Sequence, residues 1–315
     1  MAKSLALHKF QIISTWNSFV FNFRFLVFIR IGNIGRTNKS FGFNTQGITV
    51  TPMQDFGFVF AGFFVGFIVG LTGVGGGSLM TPILIFFFGI KPHLAIGTDL
   101  LFAAFTKSSG TLSMARQRLV PWRVVASLCA GSIPASAITL WVLSNVGPSD
   151  PEVQHVMTFT LGVALLLTAA AMLFKAIRGK QAPRTLADNH LEQATHPRHW
   201  ALPVLFGALI GTLVTLTSVG AGAIGVTVLM ILYPQLPLSR IIAADIAYAV
   251  PLTMVAGLGH ASIGSVNWPL LGLLLAGSLP GIWLGSRLVN KTPERLIRAI
   301  LSLLLAWAGS KLVFA

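Results

Sequence analysis

Long apolar segments separated by short polar stretches recur along the chain from Phe56 to its C-terminal end. Each has about 20 residues or more, the length that a helix needs to cross a hydrocarbon core of about 30 Å. The pattern predicts eight transmembrane segments: 56–88, 94–115, 121–143, 153–175, 200–232, 239–260, 268–288 and 294–314. We therefore expect an all-α, polytopic integral membrane protein.

The first and fifth segments, 56–88 and 200–232, are too long and too rich in glycine to be single straight helices. Glycine in a helix interior is destabilising by roughly 0.5–1 kcal/mol relative to alanine, so a cluster of glycines favours an interruption. The clusters are Gly73, Gly75, Gly76 and Gly77 in the first segment, and Gly220 and Gly222 in the fifth. Both segments are predicted to be helices that are broken in mid-membrane.

The chain also contains an internal duplication. The run from Leu71 to Gly77 reappears from Leu216 to Gly222, and after one inserted residue the match resumes. The later matches are Gly97-Thr98-Asp99 with Ala243-Ala244-Asp245, Trp122 with Trp268, and Gly131-Ser132-Ile133-Pro134 with Gly277-Ser278-Leu279-Pro280. We expect two homologous four-helix repeats, 53–178 and 200–315, joined by a cytoplasmic linker at 179–199.

The relative orientation of the two repeats depends on the broken segments. Four crossings per repeat is an even number, which predicts repeats that share one orientation in the membrane. If a glycine break turns one segment into a re-entrant hairpin, the parity changes and the repeats become inverted. The sequence leaves both arrangements open.

Residues 1–52 differ in pattern from the rest of the chain. Their apolar stretch, 19–31, contains Asn22, Arg24 and Arg30 and is too short to span a bilayer. No small-residue cleavage site of the signal-peptide kind follows it. We expect a poorly structured leader, with Met53 as a candidate for the true start. An amphipathic segment on the membrane surface is the alternative.

Charge distribution predicts an orientation rather than a nucleic-acid partner. The formal net charge is +14, but only 10% of the residues are charged, against roughly 25% in soluble domains. The basic residues lie in short stretches between apolar segments, which marks a cytoplasmic side. Those after the second and fourth segments are Arg116, Arg118, Arg123, Lys175, Arg178, Lys180, Arg184 and Arg198. A further cluster conflicts with this assignment, because eight crossings put it on the opposite side: Arg287, Lys291, Arg295 and Arg298.

The two broken segments are the candidate substrate site. A break frees backbone N–H groups, and the N-terminus of a half-helix offers converging donors and a positive dipole end to an anion. The alternative interpretation is close helix packing through small residues. The predicted substrate-binding residues are Thr72, Gly73, Gly75, Gly76, Gly77, Ser78, Thr217, Ser218, Gly220 and Gly222, with Thr98 and Lys107 on the second segment.

Three ionisable residues fall inside apolar segments. Such a side chain costs at least about 2.5–3.5 kcal/mol and generally faces a bundle interior or a wet cavity. Lys107 is either a partner for the anion or a side chain that reaches an interface, and the position that corresponds to it in the second repeat is Thr253. Asp99 and Asp245 occupy equivalent positions and are either proton-relay candidates or groups that tie helix ends together.

The sequence predicts no metal site, cofactor or catalytic residue. Cys129 is the only cysteine and lies in the middle of a segment, where a small apolar filler is expected. His260 has no His, Cys or carboxylate at ligand spacing. We expect this histidine at the membrane interface, with a pH-sensing role as the alternative.

Several motifs resemble the sulfite exporter TauE/SafE family over residues 54–314. They are Gly70-Leu71-Thr72-Gly73-Val74-Gly75-Gly76-Gly77-Ser78, Thr81-Pro82, Ala95-Ile96-Gly97-Thr98 and Gly131-Ser132-Ile133-Pro134. The resemblance implies a protein of the bacterial inner membrane with two four-helix repeats. It also implies a small anionic substrate, sulfite or a related sulfur oxyanion or organosulfonate. Asp99 departs from the neutral residue that family members commonly carry there, which leaves the substrate and the coupling ion open.

The leading hypothesis is a secondary transporter that moves this anion by alternating access, coupled to the proton gradient. Two other functions are kept as alternatives: a non-transporting membrane scaffold or assembly factor, and an intramembrane enzyme. The expected partners are the substrate and the lipid bilayer, and homo-oligomerisation is left open.

Overall fold

The computed structural model describes residues 52–72, 77–178, 201–288 and 294–314. These residues form ten α-helices and contain no strand, which confirms the all-α class. The helices are α1 Pro52–Thr72, α2 Gly77–Phe88, α3 Pro92–Arg116, α4 Trp122–Val146, α5 Pro151–Arg178, α6 Ala201–Thr217, α7 Ala223–Leu232, α8 Leu238–Ser262, α9 Trp268–Leu288 and α10 Glu294–Val313. The predicted leader, apart from Pro52, and the predicted linker lie outside the described residues.

Four of the described helices, α4, α5, α8 and α9, are long and apolar enough to cross a membrane. Helix α3 is as long as α4, but it carries Asp99, Lys107 and several hydroxyl side chains. It is also surrounded by other helices, since nearly all of its first half is buried. The described residues therefore have the character of a helical membrane protein, while their path differs from eight simple crossings.

The first predicted segment is a hairpin rather than one broken crossing. If α1 and α2 were collinear, Phe58 and Phe88 would lie about 45 Å apart at a rise of about 1.5 Å per residue. Their ring centroids are instead 4.6 Å apart. The chain therefore reverses between α1 and α2, so α2 ends beside the start of α1. A straight helix over residues 56–88 would exceed the hydrocarbon thickness of about 30 Å, and the reversal shortens the segment.

The fifth predicted segment reverses in the same way. Gly207 of α6 packs against the backbone of Leu128, near the start of α4. Tyr233, which directly follows α7, lies beside Ser127 on that same part of α4. The end of α7 has therefore returned to the level of the first half of α6.

Helices α3 and α8 cross each other in opposite directions through the centre of the protein. Gly97 packs against Ser265 at one end of the crossing, and Gly257 packs against Leu101. Towards the other end, the Thr111 hydroxyl donates to the carbonyl oxygen of Ile246 at 3.4 Å. These helices correspond to each other in the predicted duplication, so the two predicted repeats are inverted. The two hairpins supply the change of parity that this requires.

Glycine contacts hold two parallel helix pairs at close range, α1 with α9 and α4 with α6. A Cβ atom on Gly66 would lie 2.5 Å from the carbonyl oxygen of Ser278 and 2.7 Å from its Cα. Gly211 meets Ser132 at the same two distances. Small residues let helix backbones approach this closely in lipid, where van der Waals packing drives helix association. Packing through glycine, which was the alternative interpretation of the broken segments, thus occurs at other glycines of the chain.

The helix directions resolve the conflict among the basic residues. Helix α2 returns to the level of the start of α1, so α3 begins there. Helices α1 and α3 therefore end on the same side, and so does α9, which is parallel to α1. Helix α4 begins on that side. Helix α6, which is parallel to α4, and helix α8, which is antiparallel to α3, begin there as well. The described arginines at these helix ends are Arg116, Arg118, Arg123, Arg240 and Arg287. Eight crossings would have put Arg240 and Arg287 opposite to Arg116, Arg118 and Arg123; with the two hairpins all five lie on the same side.

The close contact of α1 with α9 predicts a strong dependence of stability on Gly66. We expect Gly66→Ala to lower the free energy of unfolding by about 1–3 kcal/mol, because the added methyl group meets backbone that cannot yield. Gly272→Ala on α9 is the matched control, since nothing lies within 4 Å of a Cβ atom there. Thermal unfolding of both purified variants in detergent measures the difference. Equal midpoints for the two variants would contradict the proposed packing.

Candidate functional site

The three ionisable residues that the sequence analysis singled out inside apolar segments are buried in the protein interior. The exposed fraction of the side chain is 0% for Asp99, 2% for Asp245 and 4% for Lys107. Charged residues are almost never buried to this extent unless they are paired or functional. The Lys107 side chain lies in the protein interior, so the alternative in which it reaches a membrane interface does not hold.

The break between α6 and α7 spans Ser218 to Gly222. Gly220 has φ 124° and Gly222 has φ 141°, which are conformations that side-chain-bearing residues rarely adopt. Ser218, with φ 59°, is in the left-handed region. The Thr217 hydroxyl closes the end of α6, because it donates to the carbonyl oxygen of Leu213 at 2.6 Å and accepts from the backbone N–H of Val219 at 3.1 Å.

The sequence-predicted residues of the first break can be followed only in part. Gly73, Gly75 and Gly76 lie outside the described residues, as do the side chains of Thr72 and Ser78. Thr72 ends α1, and Gly77 begins α2.

Lys107 connects α3 to the break between α6 and α7. Its Nζ donates to the backbone carbonyl oxygen of Ala221 at 3.0 Å. A break leaves such carbonyl groups without an intrahelical partner, and the ammonium group satisfies this one. The carboxyl groups of Asp245 and Asp99 lie close enough to Lys107 to interact with it electrostatically. One buried cation is thus held between the two predicted repeats.

Asp99 lies where α2, α3 and the break meet. The Thr81 hydroxyl donates to Asp99 Oδ2 at 2.5 Å, and Ser218 lies beside the same carboxyl group. Asp99 Oδ1 and the Ser218 hydroxyl are buried and make no hydrogen bond to another described residue. Thr98, although adjacent in sequence, does not join this group, because its hydroxyl accepts the backbone N–H of Asn267 at 3.1 Å. It holds the start of α9 against α3.

Asp245 lies against the first turn of α7. Its Oδ1 occupies the space that a Cβ atom on Gly225 would need, and the Tyr248 hydroxyl is next to that space. The N-terminus of a helix carries a partial positive charge, so it stabilises a carboxylate there. Asp245 therefore contacts the first turn of α7, and Asp99 accepts a hydrogen bond from Thr81 of α2.

His260 corrects an expectation from the sequence. Its side chain is 0% exposed, and its Nε2 lies 2.9 Å from the carbonyl oxygen of Thr215 on α6. The predicted interfacial position is wrong, because α8 is enclosed by α3, α4 and α6 at this end. Among the residues that the structure describes, no three His, Cys, Asp or Glu side chains could hold a metal ion together.

Three groups of the site were not predicted from the sequence: the Thr81 hydroxyl, the carbonyl oxygen of Ala221 and the Tyr248 hydroxyl. Thr81 approaches Asp99 only because α2 and α3 form a hairpin, which no periodicity reveals. Its place in the Thr81-Pro82 motif was the one available sign. A backbone carbonyl has no sequence signature apart from the glycines that expose it.

Comparisons with known proteins agree on the type of protein. The family model described as "Sulfite exporter TauE/SafE" matches residues 58–312. The "Probable membrane transporter protein YjnA" of Bacillus subtilis is 34% identical over 255 residues, which cover 81% of this chain and 98% of the relative. The "Probable membrane transporter protein MJ0441" of Methanocaldococcus jannaschii is 23% identical, over 80% of this chain and 92% of its own. No solved structure matches the chain.

The conformation of the break predicts opposite effects of two substitutions in it. We expect Gly220→Ala to lower the free energy of unfolding by about 1–3 kcal/mol, because its φ of 124° strains any residue with a Cβ atom. We expect Ser218→Gly to leave stability unchanged or to raise it, since glycine relieves a left-handed serine. Thermal unfolding in detergent compares them. A destabilised Ser218→Gly beside a neutral Gly220→Ala would refute the assigned backbone.

Proposed function

This chain belongs to the sulfite exporter TauE/SafE family, as its motifs indicated, and we propose that it moves a small anion across the membrane by alternating access. It is a membrane transporter and not an enzyme. The family description and the sequence resemblance favour sulfite, or a related sulfur oxyanion or organosulfonate, as the anion. The relatives are named probable membrane transporter proteins, which favours a transporter over a non-transporting scaffold.

The observation that carries the proposal is the buried Lys107 beside the broken helix. Its ammonium group makes a hydrogen bond to the Ala221 carbonyl oxygen, 3.0 Å away, in a segment whose backbone is open. An arriving anion replaces that carbonyl group as the acceptor for Lys107. An ammonium group binds a charged oxygen more strongly than a neutral one, because opposite full charges attract.

The glycine segments supply the remaining donors in this proposal. Helices α2 and α7 begin at Gly77 and Ala223, directly after the two segments that contain Gly73, Gly75, Gly76, Gly220 and Gly222. The first N–H groups of a helix lack intrahelical acceptors and carry the positive end of its dipole. Two half-helix N-termini from inverted repeats therefore support a shared anion site, with Thr72, Ser78, Thr217 and Ser218 as its neighbouring hydroxyls.

Charge balance links anion binding to protons. With Asp99 and Asp245 both ionised, the trio that they form with Lys107 carries one net negative charge and repels an anion. With both protonated, it carries one net positive charge. Each uncompensated charge at the membrane centre costs at least about 2.5–3.5 kcal/mol, so a monovalent anion is bound most favourably when both aspartates are protonated. This supports coupling to the proton gradient through Asp99 and Asp245.

The orientation follows from the basic helix ends. The side with Arg116, Arg118, Arg123, Arg240 and Arg287 is cytoplasmic under the positive-inside rule, and the inner membrane of a bacterium is the proposed location. Alternating access then exchanges the roles of the inverted repeats on the two sides of the site.

The proposal predicts that anion transport needs the Lys107 charge. In proteoliposomes loaded with unlabelled sulfite, we expect Lys107→Met to lower the uptake of labelled sulfite by about ten- to hundredfold, the effect of a lost hydrogen bond to a charged group of about 1.5–3 kcal/mol. Lys311→Met is the matched control, because Lys311 is exposed and lies 5.7 Å from the ring of Trp307.

Competition by sulfate, thiosulfate, taurine and sulfoacetate ranks the substrates in the same assay. Unchanged uptake by Lys107→Met would remove Lys107 from the mechanism. No uptake of any of these anions by the unaltered protein would refute this class of substrate.

A further inference from the structure

Tyr248 brings a hydroxyl group into the interior of the protein without a partner for it. The residue lies near the middle of α8, and its side chain is 0% exposed. The hydroxyl makes no hydrogen bond to any residue that the structure describes. A buried polar group without a partner is unfavourable, so native proteins rarely keep one that has no role.

The internal duplication indicates that packing does not require this hydroxyl. The repeat register that pairs Asp245 with Asp99 pairs Tyr248 with Phe102. Phe102 is 1% exposed and packs among apolar side chains. An aromatic ring without an oxygen atom thus fills the corresponding position of the first repeat. The oxygen atom is what the second repeat adds.

The added hydroxyl lies at the start of α7, a helix of ten residues. Its oxygen is 3.0 Å from the position that a Cβ atom on Gly225 would take. The backbone N–H of Gly225 donates to the carbonyl oxygen of Gly220 at 3.0 Å. The N–H groups of Ala223 and Ile224 come before it, and α7 offers them no acceptor. Tyr248 therefore adds a side-chain donor to a helix N-terminus that favours an anion.

The ionisable residues of the site meet at the same place. Lys107 reaches the carbonyl oxygen of Ala221, and the Asp245 carboxyl group lies against the first turn of α7, close to Tyr248. Tyrosine is a neutral donor, so it leaves the net charge of Lys107, Asp99 and Asp245 as it is. When both aspartates are protonated, an anion at this place meets an ammonium group, backbone N–H groups and the tyrosine hydroxyl.

We propose that the Tyr248 hydroxyl donates a hydrogen bond to the substrate, a small oxyanion held at the N-terminus of α7. This rests on the proposed anion transport and names a substrate contact within the same site. The hydroxyl gains its partner when the anion binds and loses it when the anion leaves. Such a donor selects anions that present an oxygen atom to it, because any other anion leaves the hydroxyl unpaired.

Tyr248→Phe tests this contact, because it removes the oxygen atom and keeps the ring that Phe102 provides in the first repeat. Without anion, we expect an unchanged or raised thermal midpoint in detergent, since a buried hydroxyl without a partner is lost. We expect the sulfite concentration for half-maximal uptake of labelled sulfite, in proteoliposomes loaded with unlabelled sulfite, to rise about ten- to hundredfold. This is the effect of a lost hydrogen bond to a charged group.

A second measurement reports binding without transport. Sulfite raises the thermal midpoint of the unaltered protein in detergent if it binds the folded state. We expect Tyr248→Phe to need about ten- to hundredfold more sulfite for the same rise. A tyrosine that serves only the fold gives the opposite pair of results, a lowered midpoint without anion and an unchanged response to sulfite.

Tyr233→Phe is the matched control, because Tyr233 is the other tyrosine of the chain. It is 2% exposed and follows the last residue of α7, about 12 Å along the helix axis from Gly225. Its side chain lies beside Ser127 on α4, away from the break. We expect this variant to keep the sulfite dependence of the unaltered protein in both measurements.

The outcomes separate this inference from the proposed function. An unchanged sulfite dependence in Tyr248→Phe, or an equal loss in Tyr233→Phe, overturns the substrate contact while anion transport stands. If the unaltered protein shows neither sulfite uptake nor a sulfite-induced rise of the midpoint, the proposed transport of this anion is refuted, and the contact with it.

Discussion

The backbone of a membrane protein must satisfy its own hydrogen bonds, since lipid offers none, and the structure depends on this constraint. The break between α6 and α7 is tolerable only inside the protein. There, Lys107 reaches the carbonyl oxygen of Ala221 at 3.0 Å, and Thr217 closes the end of α6. One interaction thus meets two needs, because an exposed carbonyl group gains a donor and a buried ammonium group gains an acceptor. It also joins the first predicted repeat to the second.

Close helix packing makes this interior possible. The pairs α1–α9 and α4–α6 approach through glycines, with no room for a Cβ atom at Gly66 or Gly211. They flank the antiparallel pair α3–α8, which carries the ionisable residues. The first half of the polar helix α3 is therefore enclosed by neighbouring helices. Side chains that would be costly in the bilayer are kept where they can contribute to a site.

The site is less symmetric than the repeat. Both repeats have a buried aspartate at the same position, Asp99 and Asp245. Lys107 has no counterpart, since Thr253 donates to its own helix at the carbonyl oxygen of Ala249. An inverted repeat with a single central cation is compatible with the proposed alternating access.

The sequence by itself determined the helical class, the family, both glycine breaks and the three buried ionisable residues, because each depends on composition or on spacing within one segment. The tertiary structure decided the rest. It reversed the chain at the hairpins, which brought Thr81 to Asp99 and put Arg287 on the side of the other basic ends. It also enclosed His260, which the sequence had assigned to the interface. The physical reason is that hydropathy reports how a segment meets lipid, whereas these contacts depend on which helices pack together over long distances in sequence.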